Sequence, residues 1–206
     1  GALKKMAPEN RMNDIGRRIK RLFRVGIGQQ KLIGRKHERA SGIMHAFIFW
    51  GALMVGIREL TLMGEGFVTG FQEFLPFLDS DSWMGYFYIS VYNIAEVLVL
   101  SMILIALYRR LIKKPDRLEL NWEGIYVLLF IAFIMVTDLL FDAARLNLVE
   151  SYGQSLHYYE SEEFGSEWEW APFTVFIAFA FKGFGESFNA FLYYFGYWGH
   201  VAAMLI

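Results

Sequence analysis

Long apolar runs separated by charged segments dominate the pattern of the chain. A helix that crosses the hydrocarbon core of a bilayer needs about 20 consecutive residues that are mostly apolar. Four runs of this kind predict an all-α integral membrane helical bundle of about four transmembrane helices, at about 40–58, 83–108, 122–141 and 188–206.

The apolar stretch that begins at Trp170 is divided by charge. Residues 170–181 are uncharged but too few to span a bilayer. Lys182 and Glu186 follow four residues apart, a spacing that permits an ion pair on one face of a helix. The pattern therefore predicts an interfacial or re-entrant Phe-rich helix at about 172–187, before the last membrane helix.

Charges in the connecting segments are segregated by sign. Residues 1–39 hold twelve Lys and Arg against three acids, and residues 109–121 hold five bases against two acids. Residues 59–82 have five acids and no base, and residues 142–169 have seven acids and one base. Because basic segments stay in the cytoplasm, the N-terminal segment and the second loop are predicted inside, and the acidic loops outside.

The basic N-terminal segment, 1–39, forms one predicted part of the chain, and the membrane bundle, 40–206, forms the other. Within the segment, apolar residues such as Ile15, Ile19 and Phe23 are interleaved with arginines and lysines. This pattern is typical of a basic amphipathic helix that lies on an anionic membrane surface. Nucleic-acid binding is disfavoured because a membrane-tethered segment already has a sufficient partner.

The composition agrees with a membrane protein and excludes several kinds of site. The chain is 55% hydrophobic and 18% aromatic, more apolar than a soluble domain of its 206 residues would be. It contains no cysteine, which excludes an iron–sulfur cluster or a thiolate zinc site held by this stretch.

Both ends of the sequence look cut, because the chain opens without an initiator Met and closes inside an apolar run. A piece of a longer polypeptide is expected.

Four histidines, His37, His45, His157 and His200, are the candidate soft ligands. His157 lies in the long outer loop, where a solvated histidine is expected. His45 lies near the start of the first apolar run, and an imidazole in hydrocarbon must satisfy both ring nitrogens. It either forms a hydrogen bond to a neighbouring helix, Ser41 or lipid, or it ligates a metal or haem.

His200 lies deeper in the last apolar run, with Gly196 and Gly199 on the preceding turn. Small residues allow close approach of either a flat macrocycle or a neighbouring helix. The sequence leaves both interpretations open.

Carboxyl groups inside the predicted helices are costly unless they have a partner or a role. Glu96, near the middle of the second helix, is interpreted as a proton-coupling residue or part of a quinone site. Asp138, Asp142 and Arg145 share one helical face, so an ion cluster and a proton relay both remain open. Arg58 is a candidate partner for Glu96 or for an acid near it in sequence.

Several segments together resemble a known family. They are "PENR", "RRIKRLFRVGIGQQKLIGRK", "GIMHAFIFWG", "ALYRRLIKKPDRL" and "GYWGH". These segments resemble the membrane domain of heterodisulfide-reductase-related iron–sulfur oxidoreductases, which include electron-transfer-flavoprotein:menaquinone oxidoreductases. That domain is similar to the gamma (cytochrome b) subunit of respiratory nitrate reductase.

The resemblance implies a respiratory electron-transfer module in the bacterial inner (cytoplasmic) membrane, within a larger complex. Such a domain binds b-type haem, exchanges electrons with membrane quinone and works with a cytoplasmic iron–sulfur protein or domain. The residues expected to bind haem, with the two histidines as iron ligands, are His45, His200, Gly42, Phe49, Gly196 and Gly199.

The chain departs from the family pattern in its histidines. Val55 stands where the two-haem arrangement has a second histidine on the first of these helices, and the chain stops before the last histidine of the pattern. Either one haem is held by His45 and a histidine beyond Ile206, or His45 and His200 face each other around one haem. The rival functions are a non-redox membrane scaffold and a proton-pathway subunit that uses Glu96 and Asp138.

Overall fold

The computed structural model describes residues 13–34, 39–68, 71, 82–114, 121–152 and 170–205, which are helical almost throughout. The all-α fold class is confirmed. The helices are α1 (Ile15–Arg21), α2 (Gln30–Ile33), α3 (Arg39–Phe67), α4 (Trp83–Tyr108), α5 (Trp122–Tyr152), α6 (Pro172–Lys182) and α7 (Glu186–Met204). Turns of π-helix at Leu22–Ile27 and Arg109–Lys113 continue α1 and α4.

Three of these helices are long and apolar enough to cross a membrane. The spans are Arg39–Leu60 in α3, Trp83–Lys113 in α4 and its π-helical turn, and Trp122–Leu148 in α5. Helix α7 occupies the place of the predicted fourth span but is not among the spans found in the described residues. Its asparagine, glycines and histidine lower the mean hydropathy of the helix.

Helices α3 and α5 continue past the ends predicted from hydropathy. Helix α3 reaches Phe67 rather than ending near residue 58, and α5 reaches Tyr152 rather than ending near residue 141. The charged residues that suggested these ends are buried inside the bundle, where they meet partners of opposite sign. A charge that is neutralised in this way does not have to stop a membrane helix.

The Phe-rich stretch forms two helices rather than one. Helix α6 begins with Pro172 at its first turn, a position where the missing N–H costs nothing. Gly185 then takes a φ of 83°, in the left-handed region that favours glycine, and α7 begins at Glu186. The turn therefore falls inside the helix predicted at 172–187.

The contacts divide the chain into two compact units, Gly1–Ala46 and Phe47–Ile206. In the first unit, Gln29 has a φ of 49° and its Nε2 donates a hydrogen bond to the Gly26 carbonyl at 2.6 Å. This turn separates α2 from the π-helical turn that follows α1. The predicted amphipathic segment is helical here, with Ile19 and Phe23 exposed beside the basic side chains that line an open groove.

The second unit has a small aliphatic core between α3, α4 and α5, made by Val55, Val99, Ile103 and Met135. Helix α7 runs antiparallel to α5, because contacts move from Asn147–Asn189 to Thr137–His200 along the pair. Beyond the aliphatic core the same helices carry polar side chains inward, and these form the site described next.

Candidate functional site

A buried arginine on α3 joins α3 to α5. Arg58 Nη1 donates a hydrogen bond to Asp138 Oδ1, and Nη2 lies 2.7 and 2.8 Å from the two carboxylate oxygens of Asp142. Asp138 and Asp142 are one helical turn apart, so their side chains leave the same face of α5. The shared face predicted from the spacing carries an ion cluster, and Arg58 supplies its central cation. The proton relay stays a prediction.

Helix α4 contributes an aromatic ring and a further carboxyl group to the same cluster. The Tyr92 hydroxyl donates to Asp142 Oδ2 at 3.2 Å, and the Arg58 guanidinium lies 4.9 Å from the centre of the Tyr92 ring. Glu96 Oε1 lies 4.0 Å from Arg58 Nη1. Glu96 is fully buried, and neither of its carboxyl oxygens has a hydrogen-bond partner among the described residues.

A second arm of the cluster joins α3 to α7. His200 Nε2 lies 2.8 Å from Glu59 Oε2, and Nδ1 lies 3.4 Å from the Thr137 hydroxyl of α5. Although Nε2 and Oε2 are close, Nε2 makes no contact with hydrogen-bond geometry. The ligating atoms of Glu59, Asp138 and His200 lie within 4.8 Å of one another.

Among the described residues, the cluster contains more carboxyl groups than fixed cations. Glu59, Glu96, Asp138 and Asp142 are all buried, whereas the neighbouring guanidinium groups are Arg58 and Arg145, the latter 3.9 Å from Asp142. An uncompensated carboxylate is expensive in a membrane interior. The arrangement can therefore take up positive charge, as protons or as a metal ion.

Amide side chains attach α6 and α7 to the bundle beside the cluster. Asn93 on α4 donates to the Thr174 hydroxyl at 2.8 Å and accepts from the Phe173 backbone N–H at 3.0 Å. Asn147 on α5 donates to Asn189 Oδ1 at 2.8 Å. These bonds satisfy buried polar groups and position the Phe-rich stretch against α4 and α5.

Gly196 and Gly199 pack against α5. A Cβ added at Gly196 would lie 2.8 Å from the Phe141 nitrogen and from the Thr137 carbonyl oxygen, and one at Gly199 would lie 3.2 Å from Phe133 and Thr137. The space beside these glycines is therefore occupied by a neighbouring helix. With both His200 ring nitrogens facing protein groups, this arrangement does not fit a haem bound at His200, and that assignment stays a prediction.

His45 is exposed on the surface of its helix, with Phe49 half-buried one turn further on. An exposed imidazole fits a ligand that approaches from outside the helix. Gly42 is buried, and its Cα faces the backbone of Leu32 rather than open space. The haem-binding roles of His45, Phe49 and Gly42 stay predictions, and His37 and His157 lie outside the described residues.

Sequence reasoning missed several members of the cluster. Glu59 is one of the acids near Arg58 in the sequence, and Tyr92 and Thr137 are not among the candidate residues. Tyr92 and Thr137 are common residues on membrane helices and carry no charge. Glu59 gave one signal, since it stands beside Arg58 in what proves to be the interior of a long helix.

The comparisons with known proteins gave one similarity. Over 182 residues the chain is 28% identical to the protein named probable iron–sulfur-binding oxidoreductase FadF of Bacillus subtilis (strain 168). The match covers 86% of this chain and 22% of that protein, so the chain spans less than a quarter of the relative's length. No family model and no solved structure matches the chain. The chain is therefore similar to a limited segment of an iron–sulfur-binding oxidoreductase.

Proposed function

We propose that the chain is the membrane electron-transfer part of an iron–sulfur oxidoreductase, and that it exchanges electrons between membrane quinone and a cytoplasmic iron–sulfur protein or domain. The observation that carries the proposal is the similarity to an iron–sulfur-binding oxidoreductase across most of a chain that has three membrane spans.

The absence of cysteine indicates which redox centres this stretch does not hold. Iron–sulfur clusters are held chiefly by cysteine thiolates, and the sequence has none. The clusters of the proposed enzyme therefore belong to sequence or subunits other than this stretch. This stretch contributes the bilayer anchor and the contact with a lipid-soluble electron carrier.

A b-type haem, one or two per chain, is proposed as the cofactor of this part, with His45 as an axial ligand. The haem would supply one-electron transfer between the quinone and the iron–sulfur partner. His45 presents an exposed imidazole on an apolar helix, and Phe49 lies on the same helical face. The other axial histidine is expected outside the described residues.

The buried cluster has a proposed role in proton exchange. Reduction of a quinone to a quinol consumes two electrons and two protons, so a quinone site in a membrane needs a proton donor. Glu96 is fully buried and its carboxyl oxygens have no hydrogen-bond partner among the described residues. Buried carboxyl groups of this kind mark proton relays in membrane proteins, and the cluster also suits the rival function of a proton-pathway subunit.

The experiment that tests the proposal is a reduced-minus-oxidised optical spectrum of the protein purified in detergent. We expect the α-band of a b-type haem, and its loss in His45→Ala. His200→Ala should keep the haem, and loss of the same haem in both variants would assign the second ligand to His200. A wild-type protein with no haem band would reject the redox function and favour a non-redox scaffold.

The proposed orientation places the basic N-terminal segment and Lys113 in the cytoplasm, because basic loops stay inside. Single cysteines at positions 113 and 160 can be labelled in intact cells with a reagent that does not cross the membrane. Position 160 should react and position 113 should not. The reverse pattern would invert the topology and remove His45 from the cytoplasmic side.

A further inference from the structure

His200 and Glu59 lie in close contact without a hydrogen bond from Nε2. His200 Nδ1 lies 3.4 Å from the Thr137 hydroxyl, whose own proton is directed to backbone carbonyl groups at 2.8 and 3.0 Å. That oxygen can accept from Nδ1–H, which assigns the free lone pair of a neutral imidazole to Nε2. Nε2 then faces Glu59 Oε2 at 2.8 Å, so two electron pairs oppose each other.

The atoms around this point are buried and lack hydrogen bonds. Within the part of the chain that the structure describes, Glu59 Oε1, Asp138 Oδ2 and His200 Nε2 have no hydrogen-bond partner. Their side chains belong to residues that are 6, 2 and 8% exposed, respectively. Unpaired polar atoms at this depth are rare in folded proteins and call for a ligand. One ligand atom from each of these three residues lies within 4.8 Å of the other two.

Asp138 is divided between two roles. Its Oδ1 accepts from Arg58, which leaves Oδ2 unpaired and available to a second cation. The positive charge of Arg58 does not exclude that cation, because Nη2 of the same guanidinium is paired with the Asp142 carboxylate. Within the described part of the chain, the buried carboxyl groups of the cluster still outnumber its arginines.

We infer that Glu59, Asp138 and His200 bind a divalent first-row transition-metal ion. One imidazole and two carboxylates suit Zn²⁺, Fe²⁺ or Mn²⁺ among the common metals. Three protein ligands leave a coordination position open, as in sites where metal-bound water or a substrate takes the remaining place. The Thr137 hydroxyl would orient the imidazole through Nδ1, which is the usual support for a metal-bound histidine.

This site is separate from the proposed haem site and does not depend on electron transfer. Its ligands are distributed over α3, α5 and α7 of the second unit. A bound metal would therefore connect the three helices. A proton shared between His200 and Glu59 is the competing occupant, and it is the alternative that the experiment must separate from a metal.

The test uses the whole chain purified in detergent, treated with a chelator and equilibrated with Co²⁺ or Zn²⁺. Bound metal is counted by elemental analysis after removal of the free ion, a measurement that haem absorption does not disturb. We expect one Co²⁺ or Zn²⁺ per chain. Glu59→Gln and His200→Gln should each weaken binding by at least about tenfold. Glu186→Gln, an exposed acid at the start of α7, is the matched control and should bind normally.

A second measurement covers the case in which a variant folds poorly. A ligand that binds only the folded state raises the unfolding temperature, and the stabilisation grows with the logarithm of the free ligand concentration once that exceeds Kd. Zn²⁺ should raise the unfolding temperature of the wild type and of Glu186→Gln, and should leave that of Glu59→Gln unchanged. A wild type that binds no metal and shows no shift would overturn the inference, as would full binding by Glu59→Gln and His200→Gln.

Discussion

Arg58 and Asp142, separated by 84 residues in the sequence, form a two-bond ion pair in the interior of the helical bundle. One guanidinium nitrogen, Nη2, lies 2.7 Å from one carboxylate oxygen and 2.8 Å from the other. Both residues are buried. Because the other terminal nitrogen, Nη1, bonds Asp138, this single side chain connects α3 to two successive turns of α5.

Removing the central cation is expected to destabilise the bundle. Arg58→Met would leave Asp138 and Asp142 buried without their main counter-charge, and breaking a buried pair in this way costs about 3–5 kcal/mol. The free energy of unfolding in a detergent–denaturant titration measures the effect. Arg17→Met removes an exposed pair with Asp14 at 3.6 Å and is the control, with little expected loss. An equal, small effect of both substitutions would show that Arg58 is not a structural cation.

The contact between α5 and α7 is expected to depend on the absence of a side chain at Gly196. In Gly196→Ala the new methyl group would meet backbone atoms of Phe141 and Thr137 at 2.8 Å, so the helices must separate. Overpacking of this kind costs about 1–3 kcal/mol. Gly183→Ala is the matched control, because nothing lies within 4 Å of its Cβ position. Thermal unfolding in detergent compares the two variants, and equal unfolding temperatures would contradict the close contact.

Glu96→Gln is expected to slow quinone turnover and leave the haem content unchanged. The amide keeps the shape of the buried side chain but cannot carry a proton, and the loss of a general acid or base costs at least about tenfold in rate. Steady-state turnover with a soluble quinone measures it. Glu123→Gln changes an exposed acid at the start of α5 in the same way and should keep wild-type turnover. Normal turnover in Glu96→Gln would make Glu96 a structural member of the cluster.

The membrane helices could be predicted because their signal is local. The helix expected at 83–108 is observed at Trp83–Tyr108, since its apolar run has a polar flank at each end. The face shared by Asp138 and Asp142 followed from helical spacing alone. The ends of α3 and α5 could not be predicted. Arg58 and Asp142 follow apolar runs, and a charged residue in that place indicates the end of a membrane helix unless its partners on other helices are known.

The sequence by itself determined an all-α membrane protein, the approximate positions of its apolar helices and the presence of costly polar residues within them. These properties depend on the composition of consecutive residues, and a bilayer selects for them directly. The tertiary structure alone decided which polar residues meet: Arg58 with Asp138 and Asp142, and His200 with Glu59. Such partners lie on different helices, and their pairing depends on how the helices rotate and cross, which small residues such as Gly196 set through close backbone contact.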